Sequence, residues 1–314
     1  LICLFTSTYY TKLIMKKIKI GTRGSKLALA YTAKVLNLLL ENNANLKDEN
    51  FEIIKIKTSG DINQSSKLST IGGKQLFCKE LEESLLTNKI DVAIHSLKDL
   101  EKIDHSNLIV GSYIKRNDPR EILLSDKEFS ISDTNLTIAT CSNRRKFQLQ
   151  KLNHNINIID IRGNIDTRLN KMQNQFCDAL MLANAGVSTL KLKTAFKKMF
   201  EIDEVIPSAG QGVIALQCKK DNYDILDLIK SINDAQTEKC AKAEKIALEV
   251  IGGDCNTAVG IHAELKTINE IKIIGELFSS DGSKSVKESI TGKVDSFSSL
   301  GKELGLKLIN ELKK

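Results

Sequence analysis

A carboxylate and a lysine stand together directly after a short apolar strand in this sequence. The segment from Gly72 to Asp99 runs from a glycine pair through an amphipathic stretch to the strand IDVAIH, and it ends with His95, Ser96, Lys98 and Asp99. In open α/β sheets, ligands bind outside the carboxyl ends of strands. The pattern therefore indicates acid–base chemistry on an anionic substrate. A turn or a helix cap explains the same polar residues without any chemistry, so the hypothesis depends on what recurs elsewhere.

Cationic residues recur where predicted strands turn into helices. A helix N-terminus offers free N–H groups and a positive dipole end. Arginine adds a planar group that binds a carboxylate through two hydrogen bonds. A single arginine at a helix start is usually an exposed surface residue without a function. Several such turns around one crevice would instead make a binding site for a polyanion. The residues of these turns are Arg23, Ser25, Thr140, Ser142, Arg144, Arg145, Arg162, Asn164 and Arg168.

Two further segments could contribute to such a site. Cys255 follows Gly252, Gly253 and Asp254 at a predicted helix end. It is either a small buried residue, which is the common fate of cysteine, or a thiol displayed for covalent chemistry. Gln211 lies between two glycines, in a turn whose backbone could approach a ligand closely.

Composition excludes several classes of protein. With 314 residues, 41% hydrophobic and 27% charged, the chain predicts a globular protein of two or three domains that does not span a membrane. The net charge of +7 indicates an anionic partner, but 5% aromatic residues and no Trp argue against nucleic acid. Seven cysteines without a CxxC pair and four scattered histidines predict a reducing compartment, no disulfides and no metal site.

The strands and helices that must position these residues are predicted to follow a βαβ order twice, and the pattern changes from about Asp234. We expect an α/β fold class: one α/β domain from 16–115 with 208–230, a second from 116–207, and a smaller α+β domain from 234–314 with an Asp281-Gly282 hairpin. Residues 1–15 are apolar and rich in hydroxyl groups, and we interpret them as an extension, either a targeting remnant or an upstream-translated tail. The expected location is cytoplasmic, or the plastid stroma if the extension is a targeting remnant.

From about Lys17 to the C-terminus, the sequence resembles the porphobilinogen deaminase (hydroxymethylbilane synthase) family. The segments that carry the resemblance, in family order, are GTRGSKLAL, GGKQLFCKELEESLL, DVAIHSLKD, RNDPRE, SNRRKFQL, IRGNIDTRL, DALMLANAG, PSAGQGVIALQC and GGDCNTAVGIHA. The family has two domains similar to periplasmic binding proteins and a third that carries a cofactor cysteine. The resemblance implies a transferase that condenses four porphobilinogen molecules head to tail, releasing ammonia, on a covalent dipyrromethane primer. Water then frees the linear tetrapyrrole hydroxymethylbilane.

The resemblance also implies roles for individual residues. Cys255 would attach dipyrromethane, and Asp99 would be the catalytic carboxylate, stabilising the cation that ammonia loss leaves and relaying protons. Residues that would bind the carboxylates of the cofactor and the growing oligopyrrole, or line their cleft, are Arg23, Ser25, Lys74, Lys98, Thr140, Ser142, Arg144, Arg145, Arg162, Asn164, Arg168 and Gln211. We expect a monomer without nucleic-acid, membrane or metal partners.

The sequence departs from the family pattern at three places. Thr70 and Thr189 stand where many members carry cations, and Leu100-Glu101 replaces Val-Pro after the catalytic carboxylate. We therefore expect slower elongation or easier loss of intermediates, with the reaction type unchanged. The main alternative is a non-catalytic two-domain protein that binds an anion; a nucleic-acid binder and a family member that has lost activity are weaker alternatives.

Overall fold

The computed structural model describes residues 17–62, 78–100, 106–253 and 257–314. These residues form strands joined largely by helices. The strands are β1 (Ile18–Arg23), β2 (Phe51–Ile56), β3 (Val92–Ser96), β4 (Leu108–Tyr113), β5 (Glu121–Ser125), β6 (Thr137–Ala139), β7 (Asn157–Ile159), β8 (Ala179–Ala183), β9 (Phe196–Met199), β10 (Ile214–Lys219), β11 (Val259–Thr267), β12 (Glu270–Phe278) and β13 (Ser285–Lys293). The helices are α1 (Lys26–Asn42), α2 (Ser59–Ile62), α3 (Lys79–Leu86), α4 (Asn143–Leu152), α5 (Ile165–Gln173), α6 (Asn184–Thr189), α7 (Tyr223–Lys230), α8 (Ala235–Ile251) and α9 (Phe297–Lys313).

The chain divides into two compact units. Of the described residues, unit 1 contains 17–62, 78–100, 106–116 and 213–238, and unit 2 contains 117–212, 239–253 and 257–314. Within the described ranges, no helix has both the length and the apolar character that crossing a membrane requires.

Unit 1 is built on a mixed five-stranded sheet in the order β2-β1-β3-β10-β4. β1 runs parallel to β2 and β3, whereas β10 is antiparallel to β3 and β4. Helix α1 begins after Ser25, and its residues Tyr31, Val35 and Leu39 recur every four positions, so they form one face that is buried with the sheet residues. The carboxyl ends of β1 and β3 therefore lie side by side at one edge of the sheet.

The first part of unit 2 repeats this arrangement. Its five-stranded sheet has the order β7-β6-β8-β5-β9, with β6 parallel to β7 and β8, and β5 antiparallel to β8 and β9. In both sheets the first parallel strand lies between the second and third, and an antiparallel strand follows the third. Near-continuous apolar strands such as ALMLA are typical of sheets covered on both faces.

The C-terminal part of unit 2 is an antiparallel sheet in the order β11-β12-β13, against which α9 packs. Leu304 and Leu308 of α9 share a buried cluster with Ala243 and Ala247 of α8. The Asp281-Gly282 turn joins β12 to β13, as the sequence predicts. Two α/β halves followed by a smaller α+β region confirm the predicted fold class.

Gly282 makes the hairpin turn sensitive to any added side chain. Its φ is +76°, and a Cβ atom there would lie 2.5 Å from Cδ1 and Cε1 of Phe147 on α4. We expect Gly282→Ala to lower the free energy of unfolding by about 1–3 kcal/mol, because it combines a left-handed backbone with overpacking. Urea denaturation measures this loss. Gly252→Ala is the matched control, since its φ is also positive, at +68°, and no described atom lies within 4 Å of its Cβ position. Equal losses in the two variants would contradict the role of Phe147.

Candidate active site

The polar residues predicted around Asp99 gather at the carboxyl edge of the unit 1 sheet. Arg23 is the last residue of β1, and the hydroxyl of Ser25 accepts a hydrogen bond from the N–H of Ala28 at the start of α1, at 3.3 Å. Lys98 and Asp99 lie in a 3₁₀ turn, Leu97–Asp99, directly after β3. Because β1 and β3 are neighbouring parallel strands, both groups lie at the same edge. The side chains of Lys98 and Asp99 are half-buried, so they are accessible to a ligand.

The backbone of the Asp99 turn is fixed from two sides. The N–H of Leu97 donates to the carbonyl of Val213 at 3.0 Å, just before β10. The buried thiol of Cys78 donates to the carbonyl of Asp99 at 3.3 Å, just before α3. Both hydrogen bonds use main-chain atoms of the turn. The conformation of this turn therefore does not depend on them engaging the Asp99 carboxylate.

Arg23 is paired with a carboxylate of the protein. Its Nη2 lies 2.5 Å from Oδ1 of Asp61 on α2, and the Thr58 hydroxyl donates to Oδ2 of Asp61 at 2.7 Å. Burial alone would raise the pKa of Asp61, but the hydrogen bond and charge of Arg23, together with Thr58, hold that pKa below its usual value. The sequence predicted Arg23 as a ligand-binding cation and did not predict its partner.

A buried polar chain lies behind the Asp99 turn. Nε2 of His95 is 3.0 Å from Oε1 of Gln217 on β10, and Nε2 of Gln217 donates to Oε1 of Glu82 on α3 at 3.0 Å. His95 and Gln217 are buried. Sequence reasoning singled out His95 but missed Gln217 and Glu82; the signal available was a lone amide inside the apolar strand IALQC.

The second set of predicted residues gathers at the equivalent edge of the unit 2 sheet. Thr140 follows β6, and Ser142 caps α4 by accepting the N–H of Arg145 at 3.4 Å. Arg162 and Asn164 follow β7, the parallel neighbour of β6. Arg168 lies on α5, and its Nε donates to the carbonyl of Gly163 at 2.7 Å. The exposed Asn164 is the residue before α5, and its side chain makes no capping hydrogen bond there.

Arg144 and Arg145 converge on the buried carboxylate of Glu121, the first residue of β5. Nη2 of Arg144 lies 2.7 Å from Oε1 of Glu121, and Nη2 of Arg145 lies 2.9 Å from Oε2. Gln211 joins this cluster, because its Nε2 donates to Oε1 of Glu121 at 3.0 Å and to the carbonyl of Pro119 at 2.7 Å. We call these four side chains the Glu121 cluster. Sequence reasoning predicted the arginines and Gln211 as binding groups and missed Glu121.

The Glu121 cluster carries more positive than negative charge. Its four side chains include two guanidinium groups and one carboxylate, and among the described residues Nε of Arg145 has no hydrogen-bond partner. Burial, followed by the charge of Arg145, lowers the pKa of Arg144, and Glu121 opposes this shift. Guanidinium groups stay protonated in proteins, so the cluster favours a further anion.

The comparisons with known proteins agree on one family. The family model described as "Porphobilinogen deaminase, dipyromethane cofactor binding domain" matches residues 18–227, and "Porphobilinogen deaminase, C-terminal domain" matches residues 238–311. The chain belongs to the porphobilinogen deaminase family. The residues of both sheet edges lie within the first match.

Individual relatives agree with this assignment. Porphobilinogen deaminase of Alkaliphilus metalliredigens is 35% identical over 95% of this chain and 93% of its own. The Ehrlichia canis porphobilinogen deaminase is 38% identical over 94% of this chain and 98% of its own. The Ehrlichia chaffeensis porphobilinogen deaminase is 41% identical over 79% of this chain and 83% of its own.

Among solved structures, the periplasmic VFT2 domain of Bordetella pertussis BvgS aligns with 69% of this chain and 86% of its own, at 14% identity and a TM-score of 0.39.

Some of the residues singled out in the sequence fall outside the part of the chain that the structure describes. Lys74, Cys255, Thr70 and Glu101 lie outside the described residues. Thr189 is the last residue of α6 and is half-buried, and Leu100 is buried after the Asp99 turn. Within the described ranges, no group of three or more histidine, cysteine or acidic side chains could hold a metal ion.

The Glu121 cluster predicts a large loss of stability when its carboxylate is removed. Glu121→Gln would leave two buried guanidinium groups without a counter-charge, and we expect the free energy of unfolding to fall by about 3–5 kcal/mol. Glu201→Gln is the matched control, because Glu201 pairs with Arg120 at 2.9 Å but its side chain is 71% exposed. That variant should lose less than about 1 kcal/mol. Urea denaturation of both variants would reject the cluster's role if the two midpoints moved equally.

Proposed function

We propose that this protein is a porphobilinogen deaminase, a hydroxymethylbilane synthase that condenses four porphobilinogen molecules and releases ammonia at each step. The observation that carries the proposal is the position of Asp99, a half-buried carboxylate beside Lys98, on a turn with a fixed backbone at the carboxyl edge of a sheet. Membership of the family supports the same reaction class. The product would be the linear tetrapyrrole hydroxymethylbilane, released by water.

Asp99 would act on the charge that develops when porphobilinogen loses ammonia. Departure of the amine leaves a delocalised pyrrole cation, and a carboxylate held close to it lowers the energy of that cation. The same carboxylate would pass a proton to the leaving amine or take one from a pyrrole nitrogen. Lys98 would bind a substrate carboxylate beside Asp99, because an ammonium group lies one residue away on the same turn.

The residues of unit 2 fit a cofactor that carries carboxylates. The excess positive charge of the Glu121 cluster and the unpaired Nε of Arg145 among the described residues favour an anion there. Arg162 and Arg168 add cations at the same sheet edge. When bound through a thioether to Cys255, dipyrromethane would supply the pyrrole carbon that each new substrate extends. Residues of the protein would bind the acetate and propionate groups of dipyrromethane and hold the cofactor in one position.

The alternative function is binding of an anion without reaction. Two α/β units with cationic sheet edges could hold an anion and do no chemistry. The proposed function requires a covalent modification of Cys255, and the alternative does not. A measurement of the protein's mass therefore distinguishes the two.

We expect the intact mass of the purified protein to exceed the sequence mass by two linked pyrrole units. Cys255→Ser should abolish the excess, whereas Cys177→Ser, which removes a buried thiol before β8, should keep it. If the wild-type protein carries no excess, it is incubated with porphobilinogen and weighed again. A gain that requires Cys255 would identify an apo-protein, and no gain would leave the anion-binding alternative.

Substitution of Asp99 tests the catalytic role directly. We expect Asp99→Asn to lower the rate of ammonia release from porphobilinogen by about 10²–10³-fold, because an uncharged amide cannot stabilise the developing cation. Asp91→Asn is the matched control: Asp91 lies at the opposite end of β3, where its Oδ2 accepts the N–H of Lys19 at 2.8 Å. A comparable fall in both variants would show that the effect of Asp99 is structural.

A further inference from the structure

The guanidinium group of Arg23 is held along one edge by the carboxylate of Asp61. Its Nη2 donates to Oδ1 of Asp61 at 2.5 Å, and its Nε donates to Oδ2 at 3.3 Å. Two parallel hydrogen bonds between a planar fork and a carboxylate fix the plane of the guanidinium group, which a single contact would not do. Asp61 on α2 therefore determines the orientation of a cation whose backbone belongs to β1.

The carboxylate of Asp61 is itself anchored. The hydroxyl of Thr58 donates to Oδ2 of Asp61 at 2.7 Å, and Thr58 is fully buried. The N–H of the next residue, Ser59, donates to Oε1 of Glu80 on α3 at 2.7 Å. The short helix α2 is thereby connected to α3, so Asp61 can act as a rigid support for the side chain of Arg23.

The Arg23–Asp61 pair keeps its charges and is in part exposed. Burial raises the pKa of Asp61, but Arg23 and Thr58 outweigh this effect and hold that pKa below its usual value, so Asp61 is ionised at neutral pH. The side chains of Arg23 and Asp61 are 20% and 16% exposed. A guanidinium group has a second edge, formed by Nη1 and Nη2, whose N–H groups also match a carboxylate. A ligand carboxylate that binds along this second edge does not have to displace Asp61.

We propose that Asp61 is a positioning residue for Arg23, which it holds in the orientation that binds a carboxylate of porphobilinogen. The inference rests on the proposed function, in which Arg23 is one of the cations that bind substrate carboxylates. A long side chain that is already ordered loses less conformational freedom when the ligand binds, so the ligand binds more tightly. A competing role, in which Asp61 occupies Arg23 in place of the substrate, has the opposite sign: loss of the Asp61 charge would then strengthen binding.

Asp61→Asn tests this sign. The amide oxygen can still accept the hydroxyl hydrogen of Thr58, whereas the charge that orders Arg23 is lost. We expect KM for porphobilinogen to rise about five- to tenfold while kcat stays within about twofold of the wild-type value, because Arg23 would bind the same carboxylate in the ground state and in the transition state. An unchanged or lower KM, or a fall in kcat alone, would overturn the proposal.

Asp118→Asn is the matched control. Asp118 pairs with Arg120 through the same two donor atoms, Nε at 3.1 Å and Nη2 at 2.8 Å, and the sequence predicts neither residue as a binding group. This variant should keep the KM of the wild-type protein. The double variant Arg23→Gln with Asp61→Asn should have the same KM as Arg23→Gln alone, because the effect of Asp61 is transmitted through Arg23. Additive effects in the double variant, or an equal rise of KM in Asp118→Asn, would reject the proposal.

A spectroscopic measurement on the protein without substrate separates this inference from the proposed function. The chain has seven arginines, so the Nε–H resonance of Arg23 can be assigned by its loss in Arg23→Gln. In the wild-type protein this proton should exchange slowly with water, and in Asp61→Asn it should exchange faster. Rapid exchange in the wild-type protein would overturn the proposal. A wild-type protein that releases no ammonia from porphobilinogen would reject the proposed function, while the exchange rate would still decide whether Asp61 holds the guanidinium group of Arg23.

Discussion

The arrangement of unit 2 depends on one buried carboxylate. Glu121 begins β5 and accepts hydrogen bonds from Arg144 and Gln211, with Arg145 as its second cationic partner. Each donor also reaches a backbone carbonyl: Ile206 for Arg144, Met181 for Arg145 and Pro119 for Gln211. Removing a charge from water is costly unless its hydrogen bonds are satisfied, so these contacts must form together. The requirement fixes the start of α4 against β5, β8 and the 206–211 segment.

A second buried carboxylate extends this order to the C-terminal part of unit 2. Glu244 of α8 accepts the N–H of Gly210 at 2.6 Å and the N–H of Ala263 on β11 at 2.7 Å. Gly210 precedes Gln211, which contacts Glu121. A path of hydrogen bonds, with the Gly210–Gln211 peptide bond as one link, therefore runs from α8 and β11, the two elements on either side of residues 254–256, to the arginine pair on α4. The segment that contains Cys255 thus begins and ends on elements connected to the Glu121 cluster.

The sequence predicted what local chemistry encodes. Strand and helix spacing, the strand-to-helix turns at Ser25 and Ser142 and the Asp281-Gly282 turn follow from neighbouring residues, and the structure confirms these elements. The partners of the predicted cations could not be predicted, because they come from distant positions: Asp61 is 38 residues from Arg23, and Glu121 is 23 residues from Arg144. Gln217 lies 122 residues from His95. Nothing in the sequence near His95 states that its neighbour is an amide and not a carboxylate.

The two units differ in how they treat their charges, and this difference follows from those distant partners. At the unit 1 edge, Arg23 is paired with Asp61, and burial lowers the pKa of His95 to about 4, so that imidazole is uncharged at neutral pH. At the unit 2 edge, two guanidinium groups share Glu121, and positive charge remains. The carboxylate of Asp99 and the larger group of cations thus belong to different sheets, and each set of charges is fixed by the partners that its own sheet brings together.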